Sequence, residues 1–145
     1  SFHSVVDRYS GLSMLAQQSA DFDRNKAMEV MESLLQAHPD VNAVFCGNDA
    51  MASGAYQALV GAGKAKDVKV FGFDGAEDVI SSIQEKKIMA TGMQFPKVMA
   101  STAAEFADQF FKGKRDFPKK IPVAVELVDQ DNVQDYAGYG KKEAK

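Results

Sequence analysis

The chain has 145 residues, 46% of them apolar and 26% charged, with a net charge of −3 and a single cysteine. That length supports one domain with its own core, and the composition is that of an ordinary globular protein. It excludes a disulfide framework, a cysteine-based zinc site and the long basic block that a phosphate backbone requires, and no apolar run is long enough to cross a bilayer.

The chain opens on Ser1-Phe2-His3-Ser4-Val5-Val6. This reads as the middle of an amphipathic helix, so the chain is expected to be a piece of a longer protein. The helix remnant should end near Gly11, and residues 14–18 read as a short strand. Ser19-Ala20-Asp21-Phe22-Asp23 is a polar loop with a helix start signal. Over residues 24–37 the apolar positions 27, 28, 31, 34 and 35 fall on one helical face. His38-Pro39-Asp40 ends that helix, with His38 as its carboxyl-terminal cap.

Residues 41–46 read as a second strand, ending in Cys46, a buried and unreactive thiol. Gly47-Asn48-Asp49 is a tight turn, and residues 50–62 form a helix closed by Gly63. Residues 68–73 are a third strand, 77–85 a helix and 88–94 a fourth strand. Pro96 breaks the run before a helix over 97–112. The basic residues Lys112, Lys114, Arg115, Lys119 and Lys120 then read as solvated surface. Residues 121–128 alternate as a last strand, and the tail from Asp129 is polar and expected to be peripheral. Strands alternating with helices imply right-handed βαβ units. The fold class is α/β: a doubly wound, mostly parallel sheet with helices on both faces.

The chain is organised around Asp67-Val68-Lys69-Val70-Phe71-Gly72-Phe73-Asp74-Gly75. A buried strand here runs into a glycine-bounded turn, so Phe73 and Asp74 sit at a strand's carboxyl end, where open parallel sheets bind ligands. The residues alone also allow Asp74 to be a turn residue capping the next helix. The same end of the sheet should carry Phe22, Asn48 and Gln94. Together these supply a carboxylate, two amides and two aromatic rings, which suits a neutral polyhydroxylated ligand. Asp21 and Asp49 read as helix caps, and Arg24 as either an ion-pair partner or a hydroxyl donor. No nucleophile–base pair, metal-ligand spacing or phosphate loop is apparent, so no enzyme activity, metal, cofactor or nucleic-acid partner is expected.

Several blocks in register resemble the ribose-binding-protein family of periplasmic solute-binding proteins of bacterial ABC sugar importers. They are Ala20-Asp21-Phe22-Asp23-Arg24, Leu35-Gln36-Ala37-His38-Pro39-Asp40-Val41, Ala43-Val44-Phe45, Asn48-Asp49-Ala50-Met51-Ala52, Gly54-Ala55, Gly72-Phe73-Asp74-Gly75 and Ala90-Thr91-Gly92-Met93-Gln94. The resemblance implies two α/β lobes on a hinge with a sugar between them, periplasmic localisation and a membrane permease as partner. Carried over by position, Phe22 stacks on the sugar, Asn48, Asp74 and Gln94 bond its hydroxyls, and Phe73 walls the pocket. A family arginine expected just upstream of Phe2 and the first lobe fall outside the chain. Residues 1–95 would be the carboxyl-terminal lobe. Residues 96–128 would be a crossover helix and strand partly belonging to the other lobe, and 129–145 a polar tail. Without that lobe the chain is expected to self-associate. The alternative is the effector domain of a LacI-type transcription regulator, with an enzyme of the same doubly wound class third.

Overall fold

The computed structural model describes residues 2–142. In chain order its main elements are α1 (His3–Val6), α2 (Arg24–Ala37), β1 (Ala43–Phe45), α3 (Asp49–Gly61), β2 (Lys69–Asp74), α4 (Glu77–Gln84), β3 (Ala90–Met93), α5 (Pro96–Phe111) and β4 (Glu126–Asp129). The four strands form one sheet in the order β1-β2-β3-β4. The first three are parallel and β4 runs antiparallel to β3.

Alternation sorts each strand between two faces. Val44, Val70, Thr91 and Val128 share one face through the register Val44↔Val70, Gly72↔Thr91 and Thr91↔Val128. There they meet α3 and α4 in a single core with Leu59, Val79 and Ile83. Burying a side chain such as Leu59 stabilises by about 1.5–3 kcal/mol. Phe45, Phe71, Phe73 and Leu127 line a shallow groove on the other face. Phe2 stacks on Phe45 with ring centroids 4.6 Å apart, which brings α1 to that second face.

Helix α2 starts where Asp23, in extended conformation, accepts the Lys26 N–H. Its buried residues Ala27, Met31 and Leu35 recur every four positions and lay the helix along α3. His38 caps its end by donating its N–H to the Leu34 carbonyl.

Four segments depart from the elements read in the sequence. Residues 14–18 form no strand. The sheet ends at β1, and a strand pattern is realised only against a partner ladder, so Met14 and Leu15 stay exposed. The first helix is four residues long and stops at Val6, short of Gly11. The last strand occupies Glu126–Asp129 rather than 121–128, because its partner β3 ends at Met93, opposite Glu126, and leaves residues 121–125 no ladder to join. Finally, the tail is not peripheral. A 3₁₀ turn (Val133–Asp135) leads into a hairpin of β5 (Tyr136–Ala137) and β6 (Gly140–Lys141). Val133 and Tyr136, three residues apart and so on one side of such a turn, are buried in the core.

Helix α5 begins with Pro96 in its first turn, and none of its residues is buried. Its apolar stripe includes Met99 and Phe110, both exposed, while Phe106 meets Phe117 at a ring separation of 5.3 Å.

A candidate ligand-binding rim

Parallel strands bring their carboxyl ends to one edge of the sheet, where connecting loops can present side chains without burying them. Asn48 lies just after β1, Asp74 ends β2 and Gln94 follows β3. Asn48 is the N-cap of α3: its Oδ1 accepts the Met51 N–H at 2.9 Å. Its Nδ2 donates to the Phe22 carbonyl at 3.4 Å, tying the loop before α2 to the same edge. Phe22, Asn48, Asp74 and Gln94 therefore gather at one rim.

Two of them sit on strained backbone. Asp21 and Phe22 have φ of 51° and 58°, and Asp74 has φ of 134°. Such conformations cost non-glycine residues about 1–3 kcal/mol each and persist where the surroundings hold them. Phe22 itself is 69% exposed at the rim. At Asp74 the Oδ1 accepts the Gln94 Nε2–H at 2.7 Å, and the Gln94 N–H donates to the Asp74 carbonyl at 3.0 Å. Asp74 does not cap α4, whose N-cap is Ala76 with no side-chain bond. Phe73 alternates to the opposite face of the sheet from Asp74, with its ring over Gly92.

Asp49, read from the sequence as a helix cap, has another task. Asn48 already caps α3, which leaves the Asp49 side chain in the first turn to point inward, 1% exposed. Its Oδ2 accepts the Gly75 N–H at 2.8 Å and the Ala76 N–H at 2.7 Å, and its Oδ1 accepts the Thr91 hydroxyl at 2.7 Å. One carboxylate thus joins α3, the turn after Asp74, and β3 before Gln94. Burial pushes its pKa above the usual carboxylate range, against the three hydrogen bonds. Gly75 has φ of +86°, and a Cβ there would stand 2.2 Å from the Met93 sulfur, so the turn accepts glycine alone. The signal for Asp49 in the sequence was an Asn-Asp pair at a helix start: one side chain suffices as the cap, and the other is free.

Asp21 is not a cap either. Asp23 caps α2, and Asp21 instead pairs with Lys26 and accepts from Ser19. Arg24 takes the ion-pair role, meeting Asp78 at 2.6 Å with both side chains half-exposed. Burial, aided by the Asp49 charge, pushes the Cys46 thiol up to about 12. Among the described residues no group of three or more His, Cys, Asp or Glu is placed to hold a metal. A hollow of about 470 Å³ at the amino-terminal edge of the sheet, lined in part by Tyr56, Lys69 and Met89, shares no residue with the rim.

A doubly wound α/β lobe with polar side chains converging at the carboxyl ends of its strands is a binding lobe of the periplasmic-binding-protein class. The chain belongs to that family: the model for the periplasmic binding protein domain matches residues 1–115. It is 46% identical over 129 residues to the ribose import binding protein of Bacillus subtilis (strain 168), covering 89% of this chain and 41% of that protein. It is 41% identical over 132 residues to the D-apiose import binding protein of Paraburkholderia graminis, covering 90% of this chain and 42% of that one. The chain thus spans about two-fifths of the length of these relatives. Among solved structures it resembles an ABC transporter periplasmic solute-binding protein from Actinobacillus succinogenes with bound D-allose. The TM-score is 0.86 at 32% identity, over 90% of this chain and 46% of that one. A solute-binding protein from Bacillus halodurans with bound myo-inositol gives a TM-score of 0.84 at 34% identity, over 92% of this chain and 46% of that one.

Proposed function

We propose that this chain is one lobe of a two-lobe solute-binding protein that captures a monosaccharide, pentose- or hexose-like, in the periplasm and delivers it to the membrane permease of a bacterial ABC importer. The observation that carries the reading is the Asp74–Gln94 pair at the rim, bonded at 2.7 Å and joined there by Asn48 and Phe22. The Asp74 carboxyl group accepts from sugar hydroxyls through its free lone pairs, while the Gln94 and Asn48 amides donate and accept. Phe22 offers a flat apolar face to sugar C–H groups, and Phe73, one residue before Asp74 on the other face of β2, would wall the site from that side. The reading assigns binding and release to the rim, and no catalysis.

The second lobe supplies the other wall. In this reading the lobe is built on the stretch up to residue 95, with β4 and the hairpin after it returning to the same core. Helix α5, none of whose residues is buried, would pass alongside that wall. The relatives above are import binding proteins, which favours transport over the effector domain of a regulator. The test is calorimetry on the two-lobe protein with a panel of pentoses, hexoses and myo-inositol. Saturable binding that collapses in Asp74→Ala is expected. Binding of no monosaccharide, or binding indifferent to that change, would refute the reading.

A further inference from the structure

The turn that presents Asp74 is held from two directions. From the core, Asp49 accepts the Gly75 N–H at 2.8 Å. From the outside, the Gly75 carbonyl accepts the Tyr139 N–H at 2.7 Å. Both backbone groups of this one glycine are thus fixed by residues far from it in the chain.

We propose that the hairpin over residues 133–141 is a positioning clamp for the ligand rim: by holding Gly75 and Glu126 it sets the geometry of the Asp74–Gln94 pair. The proposal rests on the sugar-binding reading of that rim.

The hairpin is seated rather than draped. Val133 and Tyr136 are buried beneath it. At its tip Gly138 lies directly on the first residue of α4: a Cβ at 138 would stand 2.8 Å from the Glu77 Cβ and 3.2 Å from its Cα. That position admits no side chain without lifting the tip, and lifting the tip breaks the Tyr139–Gly75 bond. The base of the hairpin reaches the other half of the pair. The Tyr136 hydroxyl donates to Glu126, and Lys141, paired with Tyr136 across the hairpin, meets the same carboxylate at 2.9 Å. Glu126 opens β4 and pairs with Met93, the residue before Gln94. The hairpin therefore touches the backbone next to Asp74 directly, and reaches the residue before Gln94 at one remove, through the Glu126 carboxylate and the pairing of Glu126 with Met93. Asp74, at φ of 134°, would relax if its neighbour were freed. Hydrogen bonds to a ligand weaken steeply once donor and acceptor drift from line, so a loosened turn should be read directly as lost affinity.

The test compares Gly138→Val with Ile83→Val, a core change at the opposite end of α4 from the Gly138–Glu77 contact, chosen as a stability control. Three quantities are measured: the dissociation constant of the two-lobe protein for the tightest monosaccharide of the panel, the Tm, and the hydrogen exchange of the Gly75 and Ala76 amides in this chain. Gly138→Val should weaken binding by about tenfold and speed exchange at both amides. Ile83→Val should lower the Tm while leaving affinity and those amides unchanged. Gly138→Ala intrudes by a Cβ alone and should give a smaller version of the same effect, which keeps the test intact if the valine prevents folding. Unchanged amide exchange and affinity in a folded Gly138 variant, or equal losses in the Ile83 control, would overturn the clamp. If the unaltered protein binds no monosaccharide, the sugar reading fails. Gly75 exchange then decides the clamp by itself.

Discussion

Replacing Asp49 by alanine should be among the costliest single changes in this lobe. The substitution leaves the Gly75 N–H, the Ala76 N–H and the Thr91 hydroxyl without their acceptor, in a site where Asp49 is 1% exposed. Each buried donor left unpaired costs about 1–3 kcal/mol. Part of that is offset, because a buried carboxylate no longer has to be desolvated and water can enter the space it leaves. A net loss of roughly 3–5 kcal/mol is expected, a large share of the ~5–15 kcal/mol that holds a typical domain. Asp49→Asn should behave differently. Its amide oxygen can take both N–H groups, and its NH₂ can donate to the Thr91 oxygen once the hydroxyl turns, for a cost of about 1 kcal/mol. Urea unfolding followed by circular dichroism separates the two, since slopes of ~1–3 kcal/mol/M turn the alanine loss into a midpoint shift of about 1 M or more. Equal and small losses in both variants would refute the idea that this carboxylate holds the turn. The pH dependence carries its own sign. Burial raises the Asp49 pKa in the folded state above its unfolded value. The group therefore favours folding most below the unfolded value, and that contribution is lost as pH rises through the folded one. Asp49→Asn should flatten this part of the acid profile.

Asp74→Ala in the two-lobe protein should weaken sugar binding by about ten- to a hundredfold, the equivalent of a charge-assisted hydrogen bond of roughly 1.5–3 kcal/mol; calorimetry reads it directly. Glu126 titrates in the opposite sense to Asp49: the Tyr136 hydroxyl, then Lys141, lowers its pKa, so its contribution exists above the ordinary glutamate range and fades as pH falls through the lowered value. Thermal melts from about pH 6 to about pH 3 should show a shallower acid loss in Tyr136→Phe than in the unaltered chain. Cys46, buried and with its thiol pushed up to about 12, should label slowly in the native protein; rapid reaction with a thiol reagent would contradict that burial. The exposed apolar residues of α5, among them Met99 and Phe110, should make the chain self-associate, and light scattering coupled to gel filtration would refute this by finding a monomer across micromolar concentrations.

Much of the sheet and its rim was legible because local signals agreed there. The strand ending in Gly-Phe-Asp-Gly, the helix stripe of Ala27, Met31 and Leu35, and the Pro96 helix start each reported on their own conformation. The failures share a physical cause: the deciding interaction lay elsewhere in the chain. Residues 14–18 carry a strand's composition but find no ladder. Asp49 looks like any residue of a helix's first turn until Gly75, Ala76 and Thr91 arrive around it from positions 26 to 42 residues away. The stretch after Asp129 is polar in composition, and its two anchors, Val133 and Tyr136, have a purpose only once α4 is in place to receive them. The place of Asp74 at the carboxyl end of a strand was legible. Its bond to Gln94, and the absence of any bond from it to α4, became visible only in three dimensions.

The sheet ends at β1, three residues whose ladder to β2 occupies one side and, among the described residues, is matched by none on the other. Ala43 and Phe45 are exposed there, and the strand contains no proline, bulge or lysine to turn another strand away. An unguarded edge of this kind is a template for strand addition. Contact through α5 can close into a small, countable species. Addition at β1 can continue indefinitely, because each arriving sheet can offer an edge of its own. The chain handled by itself should therefore face a colloidal hazard distinct from unfolding, with losses that grow with concentration and time while the Tm stays constant. A charge placed at position 43 is the economical remedy, since it blocks edge pairing without touching the core.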